Sequence, residues 1–399
     1  MQWLLILLLI CLPLGHLTRF EAGNGVALYP QDLLAGVMLL WATVRRLRGR
    51  RLKPELLQPV LLFTATALLS LIFAAASHTL LQLAVGKLYL LRWLAYAGIY
   101  FFALDFRSSG KEIIIFNRQY GIREALLLSG LALTVFGLAQ YLLVPDLTQL
   151  KWLGWDDHFY RLVGTLLDPG FTGVMIILTV FLGLEVKLGK WVKFLAVGLP
   201  LVALTLTYSR ASYLALITAG MVYLLAKKKA TIALGAVGIF LLALTLLPRP
   251  GGEGVNLTRL YSITSRMESW RNALVIASDH PIFGVGFNLL RYAQKDYGWL
   301  DEDWQTSHAG AGIENSYLFV SATTGIVGLA AYLNLLLRMF MMGKQALGRG
   351  KIPHPAILAS LTAVSVSALF NNTWFYPWIM AWIWLLLADE EAGWKILKA

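Results

Sequence analysis

The feature that most constrains this chain is its series of apolar stretches, each roughly 20 residues long and set apart by short polar turns. A helix of that length just crosses the hydrocarbon of a bilayer. Lipid offers no partner to a bare backbone N–H or C=O, so only helices or closed barrels can span it. A barrel would show shorter segments of alternating polarity, and none stand out here. With 58% hydrophobic and 14% charged residues, the chain carries more apolar surface than a soluble core can bury. The sequence therefore predicts an all-α polytopic membrane protein of about twelve transmembrane helices, near 2–19, 25–43, 56–76, 79–104, 122–144, 169–186, 192–208, 210–226, 230–248, 315–340, 354–371 and 374–389. The first run, 3–14, is read as a retained span, because no Lys or Arg precedes it and no small-residue cleavage site follows.

Positive charge sets the orientation. Arg45, Arg46, Arg48, Arg50, Arg51 and Lys53 follow the second span, and Arg107, Lys111, Arg118 and Arg123 the fourth. Lys187, Lys190 and Lys193 follow the sixth, Lys227, Lys228 and Lys229 the eighth, and Arg338, Lys344, Arg349 and Lys351 the tenth. Every second turn is basic, which places these turns and both termini in the cytoplasm. The net charge of +12 is thus explained by topology and needs no nucleic acid. On this reading residues 1–248 hold nine helices, 249–313 form a water-facing outer loop with short helices, and 314–399 hold three more. Cys11 is the single cysteine, so no disulfide within the chain orders that loop.

Polar clusters recur at outer helix starts. TLLDPG (165–170) offers Asp168 as a cap with Pro169 behind it. TYSRAS (207–212) offers Ser209, with Arg210 just inside. IENSYL (313–318) offers Asn315. Within the loop, Ser265 and Glu268 have capping-box spacing, which predicts a helix from there to just before Pro281. Helix starts present free amides that favour anions, and the guanidinium groups of Arg210, Arg266 and upstream Arg161 can pair with phosphate oxygens. An outer interfacial site for a phosphate or diphosphate follows. The plainer alternative is that each cap only ends a helix and each arginine reaches to lipid headgroups.

Lys87 and Arg92 lie inside the fourth span, where an ionisable group usually faces a cavity or a partner; Asp32 in the second span is one candidate partner. The loop also holds His280 and His308 and an acidic run, Asp301, Glu302 and Asp303, which reads as solvated surface. Trp270, Tyr317, Trp299 and Trp304 can stack on sugar rings, or simply belong to the interfacial aromatic belt. GVGFN (284–288) reads as a tight turn after a helix. No metal-ligand spacing, nucleotide loop or serine-hydrolase motif is found in the sequence.

In order, YSRAS, SRMESWRNAL, DHPIFGVGFN and ENSYLFVSATTGIVGLAAYL make the chain resemble the O-antigen ligase and polymerase superfamily, most closely over 155–340. The resemblance implies about twelve transmembrane helices and a large outer loop. It implies transfer of a glycan from an undecaprenyl-diphosphate carrier to an acceptor, either lipid A–core or another carrier-linked repeat unit, by metal-independent chemistry and without a cofactor. It implies that Arg210 and Arg266 hold the diphosphate. Ligases of this type carry histidine before an Asn or Ser, which nine further residues separate from G-x-x-G. Here Asn315, Gly325 and Gly328 fit that frame, but Glu314 stands at the histidine position, which resembles polymerase-type or less characterised members more than ligases. Glu314 is then the expected general base, assisted by Arg210 and Arg266, with Arg161, Lys87, Arg92, Asn315, Ser209, Trp270 and Tyr317 as substrate-binding candidates. A membrane transporter of a small anion or lipid-linked substrate is the competing expectation.

Overall fold

A computed structural model describes the chain apart from residues 24–25, 50–52, 116, 154, 247–250, 252, 258–259, 301–303, 305–311, 349–353 and 399. In order, its helices are α1 (Gln2–Leu14), α2 (Pro30–Leu47), α3 (Leu57–Phe73), α4 (Leu80–Ser108), α5 (Ile122–Leu143), α6 (Pro169–Glu185) and α7 (Lys190–Thr205). They continue with α8 (Arg210–Ala226), α9 (Ala230–Thr245), α10 (Tyr261–Asp279), α11 (Leu290–Asp296), α12 (Ser316–Gly348), α13 (Ala356–Ser367) and α14 (Pro377–Lys398). Two short antiparallel hairpins, Phe20–Glu21 with Ala27–Leu28 and Ile113–Ile115 with Arg118–Tyr120, sit in turns. Every expected span coincides with a helix, and α10 and α11 fall inside the expected loop.

Length separates these helices. Among the described residues, 57–76, 122–143 and 316–347 are long and apolar enough to cross a membrane, whereas α6, α8, α9 and α13 are apolar but shorter. The fold is therefore that of a helical membrane protein with three full-length apolar spans, a lower figure than the twelve crossings expected from the sequence. α13 shows why a window of apolar residues overstates a span. The stretch 354–371 reads as continuous, yet its helix stops at Ser367, and twelve residues rise only about 18 Å. Residues beyond it turn through a 3-10 segment at Thr373–Phe375 before α14.

The caps at Asp168, Ser209 and Asn315 lie where the sequence puts them. The Phe171 amide donates to Asp168 Oδ1 (2.7 Å), and the Ser212 amide to Ser209 Oγ (3.3 Å). The Tyr317 and Leu318 amides both donate to Asn315 Oδ1 (2.9 and 3.0 Å). The loop helix differs from its expectation. α10 begins at Tyr261, because the Ile263 and Thr264 amides already bond the Leu260 carbonyl. Ser265 and Glu268 thus lie inside the helix with no orphaned amide to cap. Its C-terminal end at Asp279 agrees with the stop before Pro281.

Beyond α10, the GVGFN stretch turns back and docks on α12. The Ile326 amide donates to the Pro281 carbonyl (2.8 Å), while the Val285 and Gly286 amides donate to Ala322 and Thr323 (both 3.0 Å). This clasp sits on a break in α12 at Gly325, whose φ is 64°. A Cβ on Gly325 would come within 2.2 Å of the Ile282 carbonyl, and one on Gly284 within 2.3 Å of the Thr323 backbone. Only glycine allows both the left-handed turn and this approach.

At one end of the bundle, ion pairs gather the basic turns. Arg45 pairs with Asp105 (3.6 Å), Arg107 and Arg123 flank Asp389 (2.9 and 3.0 Å), and Arg123 also reaches Glu390 and Glu185. Lys395 bonds Glu391 (2.6 Å). The turns after α2 and α4 thus meet the C-terminal part of α14, where Lys395 donates to the Lys53 carbonyl and Arg107 pairs with Asp389, while Glu185 at the end of α6 reaches Arg123 and His354. Arg50, Arg51, Arg349 and Lys351 lie outside the described residues.

Candidate functional site

At the opposite end, α10 runs against the first turns of α12 and the α13–α14 turn. The Arg266 Nε–H donates to the Phe370 carbonyl (3.1 Å) and lies 2.7 Å from Glu314 Oε2. Trp270, one turn on, donates its indole N–H to the Glu314 carbonyl (3.2 Å). The residue at the ligase-histidine position is therefore fastened to α10 at both its backbone and its side chain. The Asn315 amide group donates to the Leu369 carbonyl (3.1 Å), and the Tyr317 hydroxyl to Ser365 (3.1 Å), locking the start of α12 to α13.

The start of α8 lies beside this group. Arg161, buried, donates from Nε to the Thr207 carbonyl (3.1 Å) and from Nη2 to Tyr208 (3.5 Å), holding the turn that carries Ser209 and Arg210. Arg210 Nη1 donates to the Leu257 carbonyl (3.1 Å), so the loop entry packs across α8, and its charge lies within electrostatic reach of Arg266. Three arginines from α8, α10 and the turn before α6 thus share one end of the bundle, with Glu314 among them.

The carboxylates tune one another. Although the Glu314 side chain is half exposed, the partial desolvation of its carboxyl raises its pKa, Arg266 opposes that shift, and the charges of Asp168 and Asp156 add to it. Burial likewise raises Asp168, against its cap bond from Phe171 and the charge of Arg161. Asp156 is raised by burial, by Asp168 and by Asp157, with Arg161 acting the other way. An acidic group held above its ordinary range among fixed cations can exchange a proton while an anion is bound nearby.

The sequence candidates separate in space. Arg266 and Trp270 both engage Glu314; Arg210, Arg161 and Ser209 belong to the adjoining α8 start; Asn315 and Tyr317 fix the backbone beneath. Arg92 is engaged elsewhere. It pairs with Asp32 (2.7 Å) and also donates to the Ala27 carbonyl, while Tyr96 donates to the same carboxylate (3.0 Å). Lys87, on the same helix, is exposed. His308, Asp301, Glu302 and Asp303 lie outside the described residues.

Two features escaped the sequence reading. Asp156 sits in an irregular stretch with no local pattern to mark it. His16, past the end of α1, is bonded between the hydroxyls of Tyr29 (2.8 Å, at Nδ1) and Tyr376 (3.1 Å, at Nε2), with Trp155 packed edge-on at 4.6 Å. Its partners come from sequence positions that only tertiary folding brings together.

Residues 195–333 match the family described as O-antigen ligase, a stretch running from within α7 to within α12 that takes in Arg210, Arg266, Trp270, Glu314 and Asn315. No curated protein matches the chain. The segment that carries most of the arginine–glutamate site is thus the segment that is similar to the O-antigen ligase family.

Proposed function

We propose that the protein transfers or polymerises a glycan from an undecaprenyl-diphosphate carrier onto an acceptor sugar hydroxyl at the outer face of the cytoplasmic membrane. The observation that carries this reading is the Arg266–Glu314 pair beside Arg210, within the segment that matches the family. Arg210 and Arg266 bind the carrier diphosphate, with Arg161 holding the turn beneath Arg210. Anion binding draws Arg266 away from Glu314. The carboxylate then loses its counter-charge and becomes a stronger base. It accepts the acceptor's hydroxyl proton as that oxygen bonds to the anomeric carbon. The bond from that carbon to the carrier phosphate breaks, and its electron pair leaves on the diphosphate, where the arginines stabilise it. No metal or cofactor enters this scheme. The same reading takes all twelve helices as crossings, with both termini cytoplasmic and the acceptor either a carrier-linked glycan or lipid A–core.

The test is direct. Purified protein is incubated with a carrier-linked glycan and a panel of acceptors, and release of undecaprenyl diphosphate is measured. Release that depends on acceptor supports the reading; its absence across the panel favours transport of a small anion or lipid-linked substrate.

A further inference from the structure

We propose that the outward face of α10 is a bilayer-docking surface, immersed in the hydrocarbon at the edge of the membrane and not bathed by water. The position of the helix is independent of the proposed reaction.

α10 has three faces. Ala273 and Ile276 are fully buried toward the bundle. Ser265, Glu268 and Asp279 are exposed on a second, polar face. The third face is apolar yet open: Leu260 is 70% exposed, Ile263 42%, Met267 62% and Leu274 54%. These positions recur at intervals of three, four and seven, which keeps them on one stripe of the helix. An open groove of about 540 Å³ runs along it, lined by Met267, Trp270, Arg271, Leu274 and Val275 and bounded at its far end by Ser278 and Asp279. A helix with an apolar stripe flanked by charge is the kind that lies in a membrane interface.

Continuity identifies the occupant as lipid. Past the end of α10, Ile282 is exposed and Phe283 stacks on Phe73 of α3, with ring centroids 4.2 Å apart. Ile72 and Phe73 of α3 and Ile326 of α12 are exposed around that contact. α3 and α12 are two of the helices long and apolar enough to cross a membrane, so their exposed apolar side chains face hydrocarbon. The α10 stripe joins that surface through the clasp between residues 281–286 and α12. Left in water, it would forgo the favourable transfer of its apolar area out of water. Trp270 lies where the stripe meets the Arg266–Glu314 pair, so a lipid-borne anion can reach the arginines from within its own leaflet.

Nitroxide scanning tests this. The single native cysteine, Cys11, is buried and is changed to serine. Met267→Cys, Leu274→Cys and Glu268→Cys are labelled on the full chain in lipid nanodiscs, with Ile72→Cys as the hydrocarbon reference and Asp296→Cys as the water reference. Collision with oxygen and with a polar nickel chelate is measured. The expected result is an oxygen-to-nickel ratio at 267 and 274 that matches position 72 and exceeds positions 268 and 296 several-fold. Ratios at 267 and 274 equal to that at 296 would place the face in water and overturn the proposal. Exclusion of both reagents would mean that protein, such as a second copy of the chain, covers it, and would overturn it equally. Ile263→Cys gives the same readout if either stripe variant fails to fold.

Discussion

Arg266 Nε sits 2.7 Å from Glu314 Oε2 while donating to the Phe370 carbonyl, so one guanidinium couples the outer helix α10 to the start of α12 and to the α13–α14 turn. A diphosphate that recruits Arg266 must displace Glu314. Glu314→Gln removes that competitor and, in the proposed reaction, also the base. The expected outcome is a split: tighter binding of the carrier-linked donor together with a fall in kcat of about 10²–10⁴-fold. Equilibrium binding and single-turnover rates on the same variant measure both. Weaker donor binding in Glu314→Gln would show that the carboxylate does not compete for the arginine.

The pH dependence follows from the same carboxylate. A base must be ionised, so activity falls as pH drops through its pKa. Partial desolvation, Asp168 and Asp156 hold Glu314 above the ordinary glutamate value of 4.5. The acid limb of kcat/KM is therefore expected above that value. Asp156→Asn removes one of the like charges and should move the limb toward lower pH; Glu314→His should carry it toward the ordinary imidazole range, near about 6.5. Rate profiles of the three proteins decide the matter, and an acid limb unmoved in both variants assigns the base elsewhere.

Much of this arrangement was legible in the sequence because it is local. Asp168 with Pro169, Ser209 with Arg210, and Asn315 each mark a helix start within a few residues, and each cap is present. The spacing of Ser265 and Glu268 misled for an equally local reason: residues three apart also share a face within a helix, and nothing in that spacing says where the backbone ladder begins. Pairing across the fold was beyond reach. Arg266 and Glu314 are separated by 48 positions, and Asp156 affects Glu314 only because tertiary packing brings their charges close. For Arg92 the sequence supplied a candidate partner, Asp32, and the structure joins them.

That pair gives a separate prediction. Arg92 and Asp32 are largely buried, with side-chain exposures of 12% and 13%. Removing one partner strands a charge in an apolar setting, so Arg92→Ala is expected to destabilise the protein by about 3–5 kcal/mol. Arg92→Met with Asp32→Asn should recover most of this, because no isolated charge is left. Thermal unfolding in detergent compares the three. If the double variant is stable but inactive, Arg92 serves the substrate as well as the fold.

Gly325 supplies a prediction that alters no charged residue. Its φ of 64° breaks α12, and a Cβ there would meet the Ile282 carbonyl at 2.2 Å. Gly325→Ala must either strain the backbone, at a cost of about 1–3 kcal/mol, or push the 281–286 turn off the helix. Loss of the turn frees the C-terminal end of α10, the helix whose first half carries Arg266. The variant should therefore lose thermal stability and, in the proposed reaction, raise the KM for the donor more than it lowers kcat. Hydrogen exchange at the Val285, Gly286 and Ile326 amides reports the turn directly, because those amides form the clasp. Unchanged protection at all three would mean that α12 absorbs the methyl group by bending, and that the clasp does not depend on glycine.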